Sequence, residues 1–426
     1  MSSFVPVVIA LMTLSSVFAT MWPRIALTLV AFLTALGTFN LLGLFGLDSL
    51  WGMQPGPSKI ALYLFLPGFA IALLLRPRLR ITPRAKVAMI LVLILTLSLL
   101  PGVFFAFDRE IAFKAWAGIV RWVLLWVLAV LLLTLEDCKR IFKAWIVFVT
   151  CVNAVFIPSL LVFGKELIAK SVIIGIHGGR LEIIGQDPNY WATFTMLALT
   201  SLLVWRPWRS VILTGVLSLI MISGILLTGS RAALGTLMLL SLIAAFRTIR
   251  KKPQMVIGSL VMVSLGALLV YKFNVVNTLA PLYERGLEQR AEVYLWSLYN
   301  LPNTILVGLG PANMPLVYDQ LAPPGFITSG KSSHNMYLEV LNAGGLIPLT
   351  LFILFLAHAL KTTILHEKMW RMEETERRLV TAIRWGIIVV MLQGMFLDLA
   401  WTNWVWVLLA LPYLRHTRRV SLKEAT

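Results

Sequence analysis

Long apolar runs, each near the length of a membrane-crossing helix, alternate along the chain with short clusters of lysine and arginine. Ile25–Phe45, Leu91–Phe105, Ile141–Phe163, Val211–Leu227 and Val256–Val270 are nearly uncharged, and about 20 apolar residues in a helix cross the hydrocarbon core of a bilayer. Each such run is predicted to be a span. Phe4–Met21 has no basic residue before it and is followed by Arg24 and a further apolar run, so it reads as membrane helix rather than cleaved signal peptide.

The clusters fix the orientation. Arg76, Arg78, Arg80, Arg84 and Lys86; Lys139, Arg140 and Lys143; Arg206 and Arg209; Arg247, Arg250, Lys251 and Lys252; Lys361 to Arg384; and Arg415, Arg418, Arg419 and Lys423 occupy short connections. Positive loops stay on the cytoplasmic side, so the opposite face carries Leu47–Ser58, Asp108–Lys114, Gly164–Asn189, the turn Gly229–Arg231, the stretch Lys272–Ser333 and a break near Trp401–Asn403. The expected fold is all-α and polytopic, with about 12 transmembrane helices and one long periplasmic loop. Its expected parts are a helical bundle over residues 1–271, a loop with an amphipathic helix over 272–333, and C-terminal spans with a basic cytoplasmic tail over 334–426.

Composition agrees with that pattern. The 426 residues are 59% hydrophobic and 13% charged, with a mean hydropathy of +0.87, which no water-soluble domain can bury. The net charge of +18 would point to nucleic acid in a soluble protein. Confined to connections between spans, it points to membrane lipids and not to nucleic acid. Cys138 and Cys151 alone make no disulfide framework.

Within the long loop, Leu287, Ala291, Leu295 and Leu298 recur at helical spacing, with Glu284, Glu288 and Glu292 on another face, predicting an amphipathic helix on the outer surface. Trp191, Tyr294, Trp296, Tyr299, Tyr337, Trp401 and Trp404 are expected to form an interfacial aromatic belt. The three glutamates lie among arginines and read as a salt-bridged face rather than a cation site. His177 has no ligand-type residue at metal spacing.

Chemistry is sought among the charges that defy the inside-positive pattern: Arg180, Arg231, Arg285 and Arg290 on the outer face, and Arg121 within an apolar run. Arg121 serves either a structural pair or a site, since a charge at membrane depth needs a partner or a wet cavity. Arg231 follows Gly229 and Ser230 at the start of a predicted inward helix. A guanidinium there reinforces the positive helix end and suits a diphosphate, although an interfacial arginine also contacts lipid headgroups. His334 stands where the long loop re-enters the membrane, and Asn335, Glu339 and Asn342 follow as a polar stripe on an otherwise apolar helix. An imidazole at that position is either a solvated cap or a base for a hydroxyl nucleophile.

Four pieces in this order resemble the O-antigen ligase and O-antigen polymerase superfamily of bacterial envelope glycosyltransferases. They are Arg180 with Gly185-Gln-Asp-Pro-Asn-Tyr-Trp-Ala192; Gly229-Ser-Arg-Ala-Ala-Leu234; Arg290-Ala-Glu-Val-Tyr leading to Gly308-Leu-Gly310; and His334-Asn335 with Gly345 beyond. The similarity covers the second half of the chain. It implies a GT-C-like membrane fold and a periplasmic site whose donor is a glycan on undecaprenyl pyrophosphate. Arg180, Arg231 and Arg290, with Arg285 as second choice and Arg121, Asn335 and Glu339 beside them, would bind substrate. His334 would activate the acceptor hydroxyl. It further implies an inverting transfer without cofactor or metal, because a diphosphate leaves readily once its charge is neutralised. Pro348 stands where the family often has a small residue.

Ligase, polymerase and protein O-oligosaccharyltransferase share this donor and differ in acceptor. The single long segment before His334, with no large soluble domain after it, favours the ligase and lipid A-core. A transporter of an anionic lipid or glycan is the alternative from another class, but the chain shows none of the internal symmetry it would need.

Overall fold

The structure, a computed structural model, describes residues 5–34, 57–75, 81–168, 174–177, 180–183, 187–249, 291–321, 333–368 and 372–414; for 156–183 and 244–249 this is backbone alone. Helices dominate: α1 (Val5–Met21), α2 (Pro23–Leu33), α3 (Pro57–Leu74), α4 (Pro83–Ser98), α5 (Leu100–Phe104), α6 (Arg109–Leu132), α7 (Leu135–Ile168), α8 (Pro188–Trp205), α9 (Val211–Thr228) and α10 (Arg231–Ile249). After residue 290 come α11 (291–299), α12 (Leu301–Thr304), α13 (Met314–Leu321), α14 (Met336–Gly344), α15 (Leu346–Glu367), α16 (Glu374–Gln393) and α17 (Asn403–Ala410).

Local signals set many of these boundaries. Thr82 caps α4 with Pro83 behind it, Asp187 caps α8 with Pro188 behind it, and Ser210 caps α9. In each the side-chain oxygen satisfies an amide left free by the first turn, and proline loses nothing at a position whose N–H has no helical partner. Gly229, at φ 61°, closes α9 in the left-handed region.

Among the described residues, four helices are long and apolar enough to cross a membrane: Pro83–Phe104, Arg109–Leu132, Val211–Thr228 and Leu346–Glu367. The pair α1–α2 makes a fifth only if its 116° bend is counted within one span. The expected count of about 12 is not confirmed by the described residues. The expected span Val256–Val270 lies outside the described residues, and Ser58–Leu74, Arg231–Ile243 and Asn403–Tyr413 are shorter apolar helices.

Several sequence expectations change. Asp108–Lys114, expected on the outer face, is helical from Arg109, with Asp108 accepting from the Ile111 amide as the cap of α6. Between Gly164 and Asn189, α7 runs to Ile168 and a short antiparallel hairpin follows, β1 (Ile174–His177) on β2 (Arg180–Ile183), adding two strands to an otherwise helical chain. The break expected at Trp401–Asn403 starts earlier, at Gly394.

The aromatic belt also changes. Trp191, Trp296 and Trp404 are buried, and only Tyr299 of that group is largely exposed, at 74%. The tryptophans are bundle cement: Trp145 meets Phe194 edge-on, Trp191 meets Phe148, and Trp126 packs on Phe355 and Tyr413. Offset and edge contacts of this kind add to dispersion where apolar burial against lipid gives little drive. Helix α8 is buried along nearly its whole length between α16 and α9, and α17 packs on α6.

Candidate functional site

One end of the bundle gathers most of the loops that the charge pattern assigned to a common face. The Asp108 amide donates to Asn313 Oδ1 at 2.7 Å, and Tyr294 Oη donates to the carbonyls of His334 and Met395 at 3.2 and 3.0 Å. Tyr190 Oη donates to the Asp398 carbonyl at 2.9 Å. The segment 305–309 crosses the junction of α14 and α15 backbone to backbone, with Leu309 N donating to Asn342 O and Leu346 N to Ile305 O. Gly345, at φ 87°, makes this crossing possible: a Cβ there would stand 2.7 Å from the Ile305 carbonyl oxygen, and one on Gly308, at φ 76°, 2.8 Å from Asn342 O. The Gly308-Leu-Gly310 and Gly345 pieces of the motif thus meet at the end of α14 opposite His334. Pro348 lies in the first turn of α15, where a missing amide costs no helical bond, and packs beneath Gly344.

His334 adopts φ 46°, a left-handed conformation uncommon outside glycine. Asp398 surrounds it: Oδ1 accepts from Ser333 Oγ at 3.0 Å and from the Asn335 amide at 2.9 Å, while Oδ2 stands 3.9 Å from His334 Nδ1. The carboxylate is nearly buried and the imidazole side chain is 37% exposed, so the ring has a carboxylate on its buried side. Sequence reasoning missed Asp398. The signal was present, since it is the sole acidic residue between Glu376 and Glu424, deep within an apolar run.

The other residues of the polar stripe part ways. Asn335 is the N-cap of α14, not a member of its face: Oδ1 accepts from the Tyr337 and Leu338 amides and Nδ2 donates to Met395 O. Glu339 Oε2 and Asn342 Oδ1, one turn apart on α14, are both buried acceptors with no donor among the described residues.

Arg231 is the first residue of α10, immediately after the turn, with Ser230 Oγ accepting from the Ala233 amide. Gln393, fully buried, ties this helix start to the histidine: Nε2 donates to Ala232 O at 2.8 Å and to Thr236 Oγ1 at 2.7 Å, and Oε1 accepts from Thr193. The next residue, Gly394, accepts from the Met336 amide. Arg231 and His334 therefore share one end of the bundle through a single buried side chain. The strand carrying Arg180 packs on α8 and on α9, the helix that leads into the Arg231 turn; the Arg180 side chain lies outside the described residues. Arg285 and Arg290 also lie outside them, as do Glu284, Leu287 and Glu288. Arg121 lies elsewhere, donating to Tyr63 Oη on α3 at 2.8 Å.

Helix α11 spans 291–299, and its buried face is not the predicted apolar stripe of Leu287, Ala291, Leu295 and Leu298. Val293 and Trp296 pack with Met314, Val317 and Tyr318, and the stripe residues Leu295 and Leu298 face outward at 60% and 58% exposure.

A bundle of apolar helices of this length is a multi-pass membrane protein, and the polar groups around His334 and Asp398 are its candidate site. Residues 216–353 match the family described as O-antigen ligase, which supports the O-antigen ligase superfamily and an O-antigen-ligase-type function at the family level. The matched stretch runs from within α9 to within α15 and contains Arg231, Arg290 and His334, but not Asp398, Arg180 or Arg121. No curated protein matches the chain.

Proposed function

We propose that this protein is an O-antigen ligase, transferring a glycan from undecaprenyl pyrophosphate to a hydroxyl of lipid A-core at the periplasmic face of the bacterial inner membrane. The observation that carries this is the pairing of His334 with Asp398 at the bundle end where α10 presents Arg231. His334 takes the proton of the acceptor hydroxyl as its oxygen attacks the anomeric carbon. The bond from that carbon to the diphosphate oxygen breaks, the diphosphate leaves with the electron pair, and the anomeric configuration inverts. Asp398 orients the imidazole and stabilises the imidazolium that forms, the part a carboxylate plays behind a histidine base. Arg231, Arg180 and Arg290, with Arg285 as second choice, bind the diphosphate, where guanidinium forks suit its oxygens and the start of α10 adds a positive helix end. The unpaired Glu339 Oε2 accepts from a sugar hydroxyl, and Asn335 acts through the backbone it caps.

The test offers the purified protein an undecaprenyl-pyrophosphate glycan with lipid A-core, a second lipid-linked repeat and an acceptor peptide in parallel, in the presence of a metal chelator. Product on lipid A-core supports the ligase. Product on the repeat alone or the peptide alone replaces it with polymerase or protein transferase, and no product on any acceptor removes glycan transfer altogether.

A further inference from the structure

We infer that Tyr294 is a positioning residue for His334, holding the imidazole in its working place by clamping the peptide bond that follows it. Tyr294 Oη lies 3.2 Å from the His334 carbonyl oxygen and 3.0 Å from that of Met395, and shares its one proton between them. On the other edge of the same peptide, the Asn335 amide donates to Asp398 Oδ1 at 2.9 Å. The plane between His334 and Asn335 is therefore gripped from both sides, by a phenol on α11 and by a carboxylate in the segment 394–402 after α16. His334 stands at φ 46°, and its relaxation into the common right-handed or extended basins changes ψ as well as φ, so it turns that plane. Strain of this kind persists only where neighbouring groups over-determine the backbone.

The clamp is anchored at each end. Asn335 Nδ2 donates to the same Met395 carbonyl at 3.1 Å and the Met336 amide to Gly394 O, so the start of α14 and the turn after α16 are joined at three points. Helix α11 has its own footing, because Val293 and Trp296 pack with Met314, Val317 and Tyr318. One turn after Tyr294, Ser297 Oγ accepts from Asn342 Nδ2 at 3.4 Å, so α11 is tied to both ends of α14. The chain that precedes α14 by 40 residues thereby sets the posture of the histidine. A base must hold its distance from the hydroxyl it deprotonates, and a displacement of ~1 Å can cost about 100-fold in rate. The effect on rate rests on the proposed glycan transfer; the clamp itself does not.

The experiment combines hydrogen exchange, read by mass spectrometry, with transfer kinetics on the full-length protein and Tyr294→Phe. Exchange in the peptide covering 333–338 is expected to quicken about fivefold, the loss of one hydrogen bond, with α15 unchanged. The kcat is expected to fall about tenfold or more, with donor and acceptor KM near wild type. In a His334→Asn background, adding Tyr294→Phe is expected to leave the residual rate where it was, because the phenol acts through the imidazole. A further drop there overturns the positioning role, as does faster exchange with unchanged kcat. Unchanged exchange overturns the clamp whatever the activity. If wild type transfers to no acceptor, the glycan-transfer reading fails and exchange alone decides the clamp. Should Tyr294→Phe fold poorly, a fluorinated tyrosine in place of Tyr294 carries the test: its phenol gives up its proton at lower pH, so kcat is expected to gain a falling alkaline limb that wild type lacks, and the absence of that limb overturns the role.

Discussion

His334 and Asp398 form a unit in which one carboxylate serves three consecutive residues: Oδ1 accepts from the Ser333 hydroxyl and the Asn335 amide, and Oδ2 faces the His334 ring at 3.9 Å. The two hydrogen bonds fix the backbone on either side of the imidazole. The ring is thereby held in place although its own φ is left-handed.

Replacing His334 with Asn separates chemistry from folding, because Asn tolerates the left-handed region. Transfer is expected to fall at least ~100-fold in kcat, while the melting temperature and donor binding stay near wild type. Retained turnover would remove the base; a transporter would tolerate the change.

Asp398→Asn keeps an oxygen for Ser333 and Asn335 but removes the charge behind the imidazole, so activity is expected to drop with little loss of stability. Asp398→Ala leaves the Asn335 amide unpaired, while the Ser333 hydroxyl keeps the Asn335 carbonyl, and is expected to cost about 1–3 kcal/mol as well. Parallel kinetics and thermal melting check the contrast. Equal activity in wild type and Asp398→Asn would confine the aspartate to a structural role.

Arg231→Gln at the first residue of α10 is expected to raise the donor KM about tenfold or more, with a smaller effect on kcat, because one charge-assisted bond to the diphosphate is lost. Steady-state kinetics with donor varied decide this. A change in acceptor KM alone would assign Arg231 to the other substrate.

Gln393→Leu keeps the volume and severs the tie between α10 and the turn before His334. Thr236 and Thr193 lose a partner in the bundle interior, so a destabilisation of about 1–3 kcal/mol is expected, together with a raised donor KM as Arg231 loses its register. Thermal melting and donor kinetics on the same preparation report both.

Gly345→Ala places a methyl against the Ile305 carbonyl at φ 87°, and is expected to cost more than about 1 kcal/mol through the backbone alone. Lower thermal stability with a reduced yield of folded protein is the expected outcome. An unperturbed melting curve would mean that the crossing of 305–309 over 344–346 yields easily.

Apolar helices of membrane-crossing length and many of the helix starts were legible in the one-dimensional pattern. Hydropathy, capping residues and prolines act within one or two turns, so their effect does not depend on what packs later. The tight turn at Gly229–Arg231 was legible for the same reason.

Tertiary structure alone decided the histidine's partner, the capping task of Asn335, the burial of Trp191, Trp296 and Trp404, and the departure of Arg121 to a cluster with Tyr63 and Trp122. Each depends on which helix faces which, and among apolar helices in lipid that choice is made by close backbone crossings and a few buried polar bonds rather than by the shared hydrophobicity of the spans.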